Sequence, residues 1–421
     1  MKWNTTKKKE DVLEKERKKG RKEEQMKRGI VQLLLISMCG LWLTGCGSKK
    51  EEKVTLKVWE SLEVQGYMEA AAEAYCKDHP NVTIEFENVE FDTSVSQIVL
   101  DGPAGAGADL FAAPCDRMGE LVSGGYVVPV ENAEEVEARV LPSCRKAATY
   151  ADTMYGYPVS DETYALYYNK ALISEEEVPK TWEEVISYTK ENTQNGQYGF
   201  VMDPTTGYYT IIFTTANGNR LFGENGDDGT TTYLNTPEAI SGLELLRDLS
   251  NAVGISSSDL NSSIADELFK NGKAAMEITG PWNASAFTEA GIDYGVTTLP
   301  CLPGEATPSV SFSGARLMFV SAFSEHQEEA AAFAEFLMSD EMQQMRYEYL
   351  TCIPSVEIEM EDETIAGFME QLEYATPMPS IPQMNSFWES MGSATKNIWD
   401  GADVQSTMDN CDKAIVNSTA E

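Results

Sequence analysis

Histidine is nearly absent from this chain: His79 and His326 are the only two in 421 residues. That leaves no set of imidazoles from which a zinc site or a catalytic triad is usually built. Six cysteines lie beyond residue 46 (Cys76, Cys115, Cys144, Cys301, Cys352 and Cys411), widely and irregularly spaced, with no C-x-x-C. An even count permits disulfides outside the cytoplasm. A body of this size needs no such staples, so the expectation is free, mostly buried thiols. There is no G-x-x-x-x-G-K-[ST] phosphate loop, and Gly105-Ala106-Gly107 lacks the third glycine of a dinucleotide fingerprint, so it reads as a turn. Carboxylates and aromatics remain. Asp161 with Glu162, or Glu162 with Asp116, could act as an acid and a base, provided one carboxyl sits in an apolar niche that raises its pKa. The other use of such residues is recognition, with aromatic faces for contact and charged groups for strong hydrogen bonds.

Charge narrows the partners. The chain has 32 Lys+Arg and 68 Asp+Glu; residues 1–45 hold 12 and 6 of these, so the remainder carries 20 and 62, a net charge near −42. Such a body repels nucleic acid and anionic lipid and suits a neutral ligand. The basic excess is confined to the N-terminus. Ile30–Leu43 is a short apolar run preceded by Lys27 and Arg28, about half the roughly 20 apolar residues that span a bilayer as a helix. It has the form of a secretory signal. Leu43-Thr44-Gly45-Cys46 then resembles the lipobox of bacterial lipoproteins, in which the cysteine is acylated and becomes the first mature residue. Conventional signal character begins at Met26, which reads as the true start. Residues 1–45 are the signal region and 46–53 a polar, lipidated tether, held by acyl chains at about 0.8 kcal/mol per buried methylene.

The remaining 376 residues must position any chemistry, and they suffice for two lobes. Val54–Trp59 alternates like a strand, Tyr67–Cys76 has helical spacing, Val82–Phe86 and Asp109–Ala112 are further strands, and Thr181-Trp182-Glu183-Glu184 is a capping box. Pro237–Leu249 and Glu328–Tyr349 read as amphipathic helices. The alternation predicts an α/β fold with mainly parallel sheets and a ligand site at the carboxyl ends of strands.

From Val54 to about Ile415 the landmarks occur in a recognisable order: KVTLKVWE, ADLFAAPCDRMGELVSGGYVVPV, YGYPVSDETYALYYNKAL, SIADELFKNGKAAMEITGPWNASAFTEAGIDYGVTTLP and ATPMPSIPQMNSFWESMGSA. The chain resembles the maltose/maltodextrin-binding proteins of ABC importers. The resemblance implies a two-lobe periplasmic-binding-protein fold, α/β, with a hinge and an interlobe ligand cleft. The expected first lobe is 54–160 plus 318–360 and the second 161–317 plus 361–421, with crossings near 160–162, 312–318 and 357–366. It implies a monomer without cofactor or metal, a maltodextrin or similar neutral oligosaccharide as ligand, and the importer's membrane subunits as partner.

The site follows from the same motifs. A glucose ring has C–H-rich faces that stack on aromatics and hydroxyl edges that suit carboxylate and guanidinium. Trp282 and Trp388 match stacking positions, Tyr208 and Tyr209 an aromatic pair, Asp116 and Arg117 a hydroxyl-binding pair, and Glu162 a carboxylate by the first hinge. Glu63 and Gln65 lie in the loop where the family has polar contacts, and Met378 adds an apolar wall. Asp116 is expected to be solvated in an open cleft. Ala113, Ser262, Glu389 and Gly392 stand where other members carry Trp, Tyr, Tyr and Arg. A binder of another neutral oligosaccharide and a lipid-anchored glycosidase are the competing readings.

Overall fold

The computed structural model describes residues 53–418 apart from Met360. The expected leader with its Met26 start, the lipidation candidate Cys46 and the expected tether up to residue 52 lie outside the described residues.

Strand β1 (Val54–Glu60) turns Val54, Leu56 and Val58 inward and leaves Thr55 outside, as its alternation requires. Helix α1 (Gln65–Asp78) buries Tyr67, Met68, Ala71 and Tyr75 against the same core. Strands β2 (Val82–Asn88) and β3 (Leu110–Pro114) flank β1 in parallel register, and α2 (Met118–Ser123) follows β3 after one tight turn. Strand β4 (Gly156–Glu162) ends at the passage to the second lobe. There β5 (Ala165–Asn169) begins a separate sheet. Helix α3 (Trp182–Asn192) starts where the capping box predicts: the Thr181 hydroxyl accepts from the Glu184 amide at 3.3 Å, and the Glu184 carboxylate accepts from the Thr181 amide at 3.2 Å. Helices α4 (Pro237–Val253), closed by Gly254 in the left-handed region, and α5 (Ser262–Lys270) lead to β6 (Met276–Thr279) and β7 (Tyr294–Thr297). Strand β8 (Phe312–Val320) returns to the first lobe, where α6 (Gln327–Leu337) and α7 (Asp340–Leu350) pack. Helix α8 (Glu363–Leu372), the two-residue strand β9 (Thr376–Pro377), α9 (Met384–Trp399) and α10 (Val404–Asn417) complete the second lobe.

Two apolar cores result. One gathers Leu56, Val58, Leu110, Phe111, Leu317, Phe319 and Phe333. The other gathers Tyr167, Trp182, Phe213, Phe269, Phe387 and Ile398. Three sequence expectations change. The sheets are not mainly parallel: β8 runs antiparallel to both β3 and β4, and β5 lies antiparallel between β6 and β7. The span 328–349 is two helices, because Ser339 adopts extended backbone and its hydroxyl accepts from the Met342 amide, starting α7 afresh. The lobe boundaries also move. Asp161 and Glu162 pair with Ala315 and Gly314, so 161–162 and 314–317, expected in the second lobe, sit in the first lobe's sheet. A nine-residue strand crossing between lobes pairs along most of its length, so the crossing falls at its first residues. Phe312 lies in the second core and Ala315 in the first. On the third crossing Ile353 belongs to the second core and Val356 to the first.

Candidate ligand-binding cleft

Residues from both lobes line a cavity of about 1000 Å³. All the residues expected in the site face it except Gln65. That side chain lies on α1 and donates to Glu69 one turn further on, at 2.6 Å.

The first-lobe wall starts at the end of β1. Glu60 is fully buried and is gripped by Arg316 of β8, whose Nε and Nη2 each donate to one carboxylate oxygen at 2.9 Å. The same Nη2 reaches the Ser61 hydroxyl at 3.0 Å and the exposed Glu63 carboxylate at 3.3 Å. The guanidinium lies 4.1 Å from the centre of the Phe91 ring. Arg346 of α7, 2% exposed, stands 3.7 Å from Glu60 and over Tyr67. A buried carboxylate survives only with such partners.

Asp116 and Arg117 lie in the tight turn after β3. Asp116 is only 6% exposed, which corrects the expectation of a solvated carboxylate. Its Oδ2 accepts from the Trp388 indole Nε1 at 2.9 Å, a bond from one lobe to the other. Burial raises its pKa to about 6, against the lowering pull of that indole and of Arg117. Arg117 faces the cleft, but its Nε and Nη2 both donate to Glu120 one turn on, at 3.1 and 2.6 Å, so its fork is already engaged. Glu162, at the end of β4, is pushed up to about 7 by burial, opposed by Arg316 and Arg346. Beside it Asp161 is raised to about 6 by burial, while it accepts from the Ser143 hydroxyl and from the Glu162 amide at 2.9 Å.

The second-lobe wall is aromatic. Tyr208 and Tyr209 occupy a one-turn helix that Thr206 caps. Tyr208 packs edge-on against Tyr209 at 5.2 Å and lies 6.3 Å from Trp282. Trp282 follows β6 in the turn Pro281–Asn283 and is 44% exposed, a large apolar ring left open toward the cavity. Trp388, on α9, rests against Phe387 and Phe312. Met378 touches both cores, and a Cβ at Gly314 would meet its methyl at 2.4 Å, so glycine makes room for it.

Arg316, Arg346, Glu60, Phe91 and Asp203 also line or brace the cavity and were not anticipated. Arg316 had a signal: a cation inside the apolar strand FSGARLMFV must have a buried partner. Asp203 had none. Its carboxylate accepts from the amide and hydroxyl of Ser262 at 2.9 and 2.7 Å, across 59 residues. Among the described residues no group of three His, Cys, Asp or Glu side chains is placed to hold a metal. Cys115, Cys144 and Cys411 are buried and the other three body cysteines partly so, all as free thiols. Aromatic rings on one wall and carboxylates with guanidinium on the other can stack a ring face while hydrogen-bonding its edge.

Comparison with known proteins agrees with this arrangement. The sequence pattern of the bacterial extracellular solute-binding proteins matches residues 59–344. A galactooligosaccharide-binding protein of Bacillus subtilis is 31% identical, covering 89% of this chain and 94% of its own. A maltooligosaccharide ABC transporter solute-binding lipoprotein of Streptococcus pneumoniae is 28% identical, covering 84% and 88%. Among solved structures, a cyclo/maltodextrin-binding protein complexed with maltotetraose superposes with a TM-score of 0.76 at 30% identity, over 89% of this chain and all of that one. Two lobes, a cleft of this composition and these matches together make the chain a member of the bacterial extracellular solute-binding proteins.

Proposed function

We propose that this chain is a cell-surface lipoprotein, acylated at Cys46, that captures a neutral oligosaccharide of the maltodextrin class as a monomer and delivers it to an ABC importer. The observation that carries the reading is the half-open Trp282 ring, grouped with Tyr208 and Trp388, across the cleft from Asp116 and Glu162. An exposed indole is costly for a soluble receptor unless something covers it, and a sugar face covers it without demanding charge. Closure of the lobes would dry the hydroxyl contacts and strengthen them. The maltotetraose complex of the 30% identical neighbour and the maltooligosaccharide-binding relative favour an α-glucan.

A second reading keeps the fold and mechanism but changes the sugar. It is favoured by the 31% identical galactooligosaccharide-binding relative, and by Ala113 and Ser262 at positions where the maltodextrin-binding pattern has aromatics. Calorimetry of residues 50–421 against maltose through maltoheptaose, galacto-oligosaccharides, isomaltose-type sugars, xylo-oligosaccharides and raffinose separates the two. Tight binding of the malto-series alone supports the first reading, and tight binding of galacto-oligosaccharides alone replaces it. The raised carboxyls could also serve a hydrolase. Membership in a family of binding proteins argues against turnover, and a reducing-sugar assay on maltodextrins is expected to stay flat.

A further inference from the structure

Beneath Trp282 lies a polar network that ligand binding alone does not require. Glu277, in the middle of β6, is 1% exposed, and no N–H or O–H of the protein reaches either of its oxygens. No cation pairs with it among the described residues; its neighbour is another carboxyl, that of Asp266 on α5. With Glu277 buried and Asp266 only partly so, burial and mutual repulsion both disfavour charging the two carboxyls together. Asp266 already accepts from the Asn283 amide at 2.7 Å and feels the charge of Lys270, so the negative charge belongs there and the proton on Glu277. Burial and the Asp266 charge push Glu277 the same way, well above the usual carboxylate range. The Asn283 amide also donates to the Thr279 hydroxyl at 2.8 Å, so one side chain ties the turn Pro281–Asn283 to both α5 and β6. The Trp282 ring lies directly over Gly280, where a Cβ would meet it at 2.1 Å, and the Gly280 carbonyl accepts from the Tyr167 hydroxyl at 3.1 Å.

We infer that Glu277 is a positioning residue for ligand stacking: buried in β6, it braces Asp266, Asp266 accepts from Asn283, and Asn283 locks the turn that presents Trp282. Its effect on affinity rests on the oligosaccharide reading above; its effect on the ring does not. A neutral side chain of this shape braces Asp266, and a misfit there frees the turn. The exposed indole then samples poses that cannot stack, and binding bears the cost of reordering it.

The test uses two readouts on fluorotryptophan-labelled protein. Fluorine NMR, with the Trp282 resonance assigned through Trp282→Phe, reports the ring without any ligand. Calorimetry with maltotetraose reports affinity. Glu277→Gln, which keeps the shape and a donor, should leave both unchanged. Glu277→Leu should shift or broaden the Trp282 resonance and weaken binding about tenfold, an effect that should vanish in a Trp282→Ala background. Should Glu277→Leu fail to fold, Asn283→Ala cuts the same chain one link nearer the ring and decides by the same readouts. An unmoved Trp282 resonance in the folded variant overturns the inference, as does Glu277→Gln behaving like Glu277→Leu, or a loss of affinity that persists without Trp282. Wild-type protein that binds none of the panel sugars would sink the reading of the cleft instead, and the fluorine spectrum would still judge the role of Glu277.

Discussion

Replacing Asp116 by asparagine separates what this carboxylate costs the fold from what it gives the ligand. Raising it from 3.8 to about 6 corresponds to about 3 kcal/mol against its ionised form in the folded state. The asparagine side chain would keep an oxygen to accept from Trp388 and would shed that penalty, though burying its amide takes back part of the gain. The variant without ligand should therefore be more stable than wild type near neutral pH, by on the order of 1 kcal/mol. The sign with pH follows. The folded-state pKa lies above the unfolded one, so wild type carries no penalty below about pH 4, loses stability as pH rises toward 6, and keeps a constant deficit above that. The advantage of asparagine should be absent near pH 4 and complete by about pH 7.5. Urea unfolding of both proteins at the two ends of that range measures it, since groups not coupled to Asp116 cancel in the difference. Binding should move the other way. Loss of the charge-assisted acceptor should weaken maltotetraose by about 1.5–3 kcal/mol, roughly ten- to a hundredfold, in calorimetry at neutral pH. A variant less stable than wild type near pH 7.5, or a stability difference flat with pH, would refute the reasoning, because the Asp116 charge would then be stabilising the fold.

Trp282→Ala and Trp388→Ala should each weaken maltotetraose by about 1–3 kcal/mol by calorimetry. Only Trp388→Ala should also change unfolding, because its indole is Asp116's partner; normal binding by either variant returns that tryptophan to a packing role. Arg316→Met should cost about 3–5 kcal/mol in urea unfolding by leaving the fully buried Glu60 without its bidentate partner. Adding Glu60→Gln should recover much of that loss, and no recovery would mean the guanidinium acts mainly through Phe91. Cys46→Ser should move the protein from the detergent phase to the aqueous phase. Mature protein that keeps residues 26–45 by mass spectrometry would count against acylation at Cys46.

Local signals were legible in the sequence and distant pairings were not. The Thr181–Glu184 box specifies its helix start within four residues, and the structure places both hydrogen bonds. The Ser339-Asp340 start of α7 is equally local and was hidden by an apolar periodicity that runs through the break. Site residues carried by whole motifs, such as Trp282 and Trp388, reach the cleft. What a motif does not specify is which neighbour reaches a side chain first. Gln65 and Arg117 each have an acidic residue one helical turn on, at 2.6 Å in both cases, and those partners engage groups expected to face a ligand. Asp116 meets Trp388 across 272 positions, and Arg316 meets Glu60 across 256. No neighbouring residue in the sequence announces either of these distant partners. The mainly parallel sheet failed for the same reason: β3 and β4 acquire their shared neighbour only when β8 returns from the other lobe.

That return governs how the molecule must be made. The sheet of the first lobe lacks the strand joining β3 to β4 until residue 320 has been supplied. The second core lacks Phe368, Phe387, Ile398 and Ile415 until the last helices arrive. A chain delivered N-terminus first therefore completes neither half from a continuous segment of its own, and each half waits on contacts of very large sequence separation, the slow kind to close. A fragment ending near residue 350 would hold most of the first core and leave the second without Phe387 and Ile398 of α9 and Met408 and Ile415 of α10. The first core can thus close before the second, and an incomplete copy offers proteases an open apolar face rather than a finished receptor.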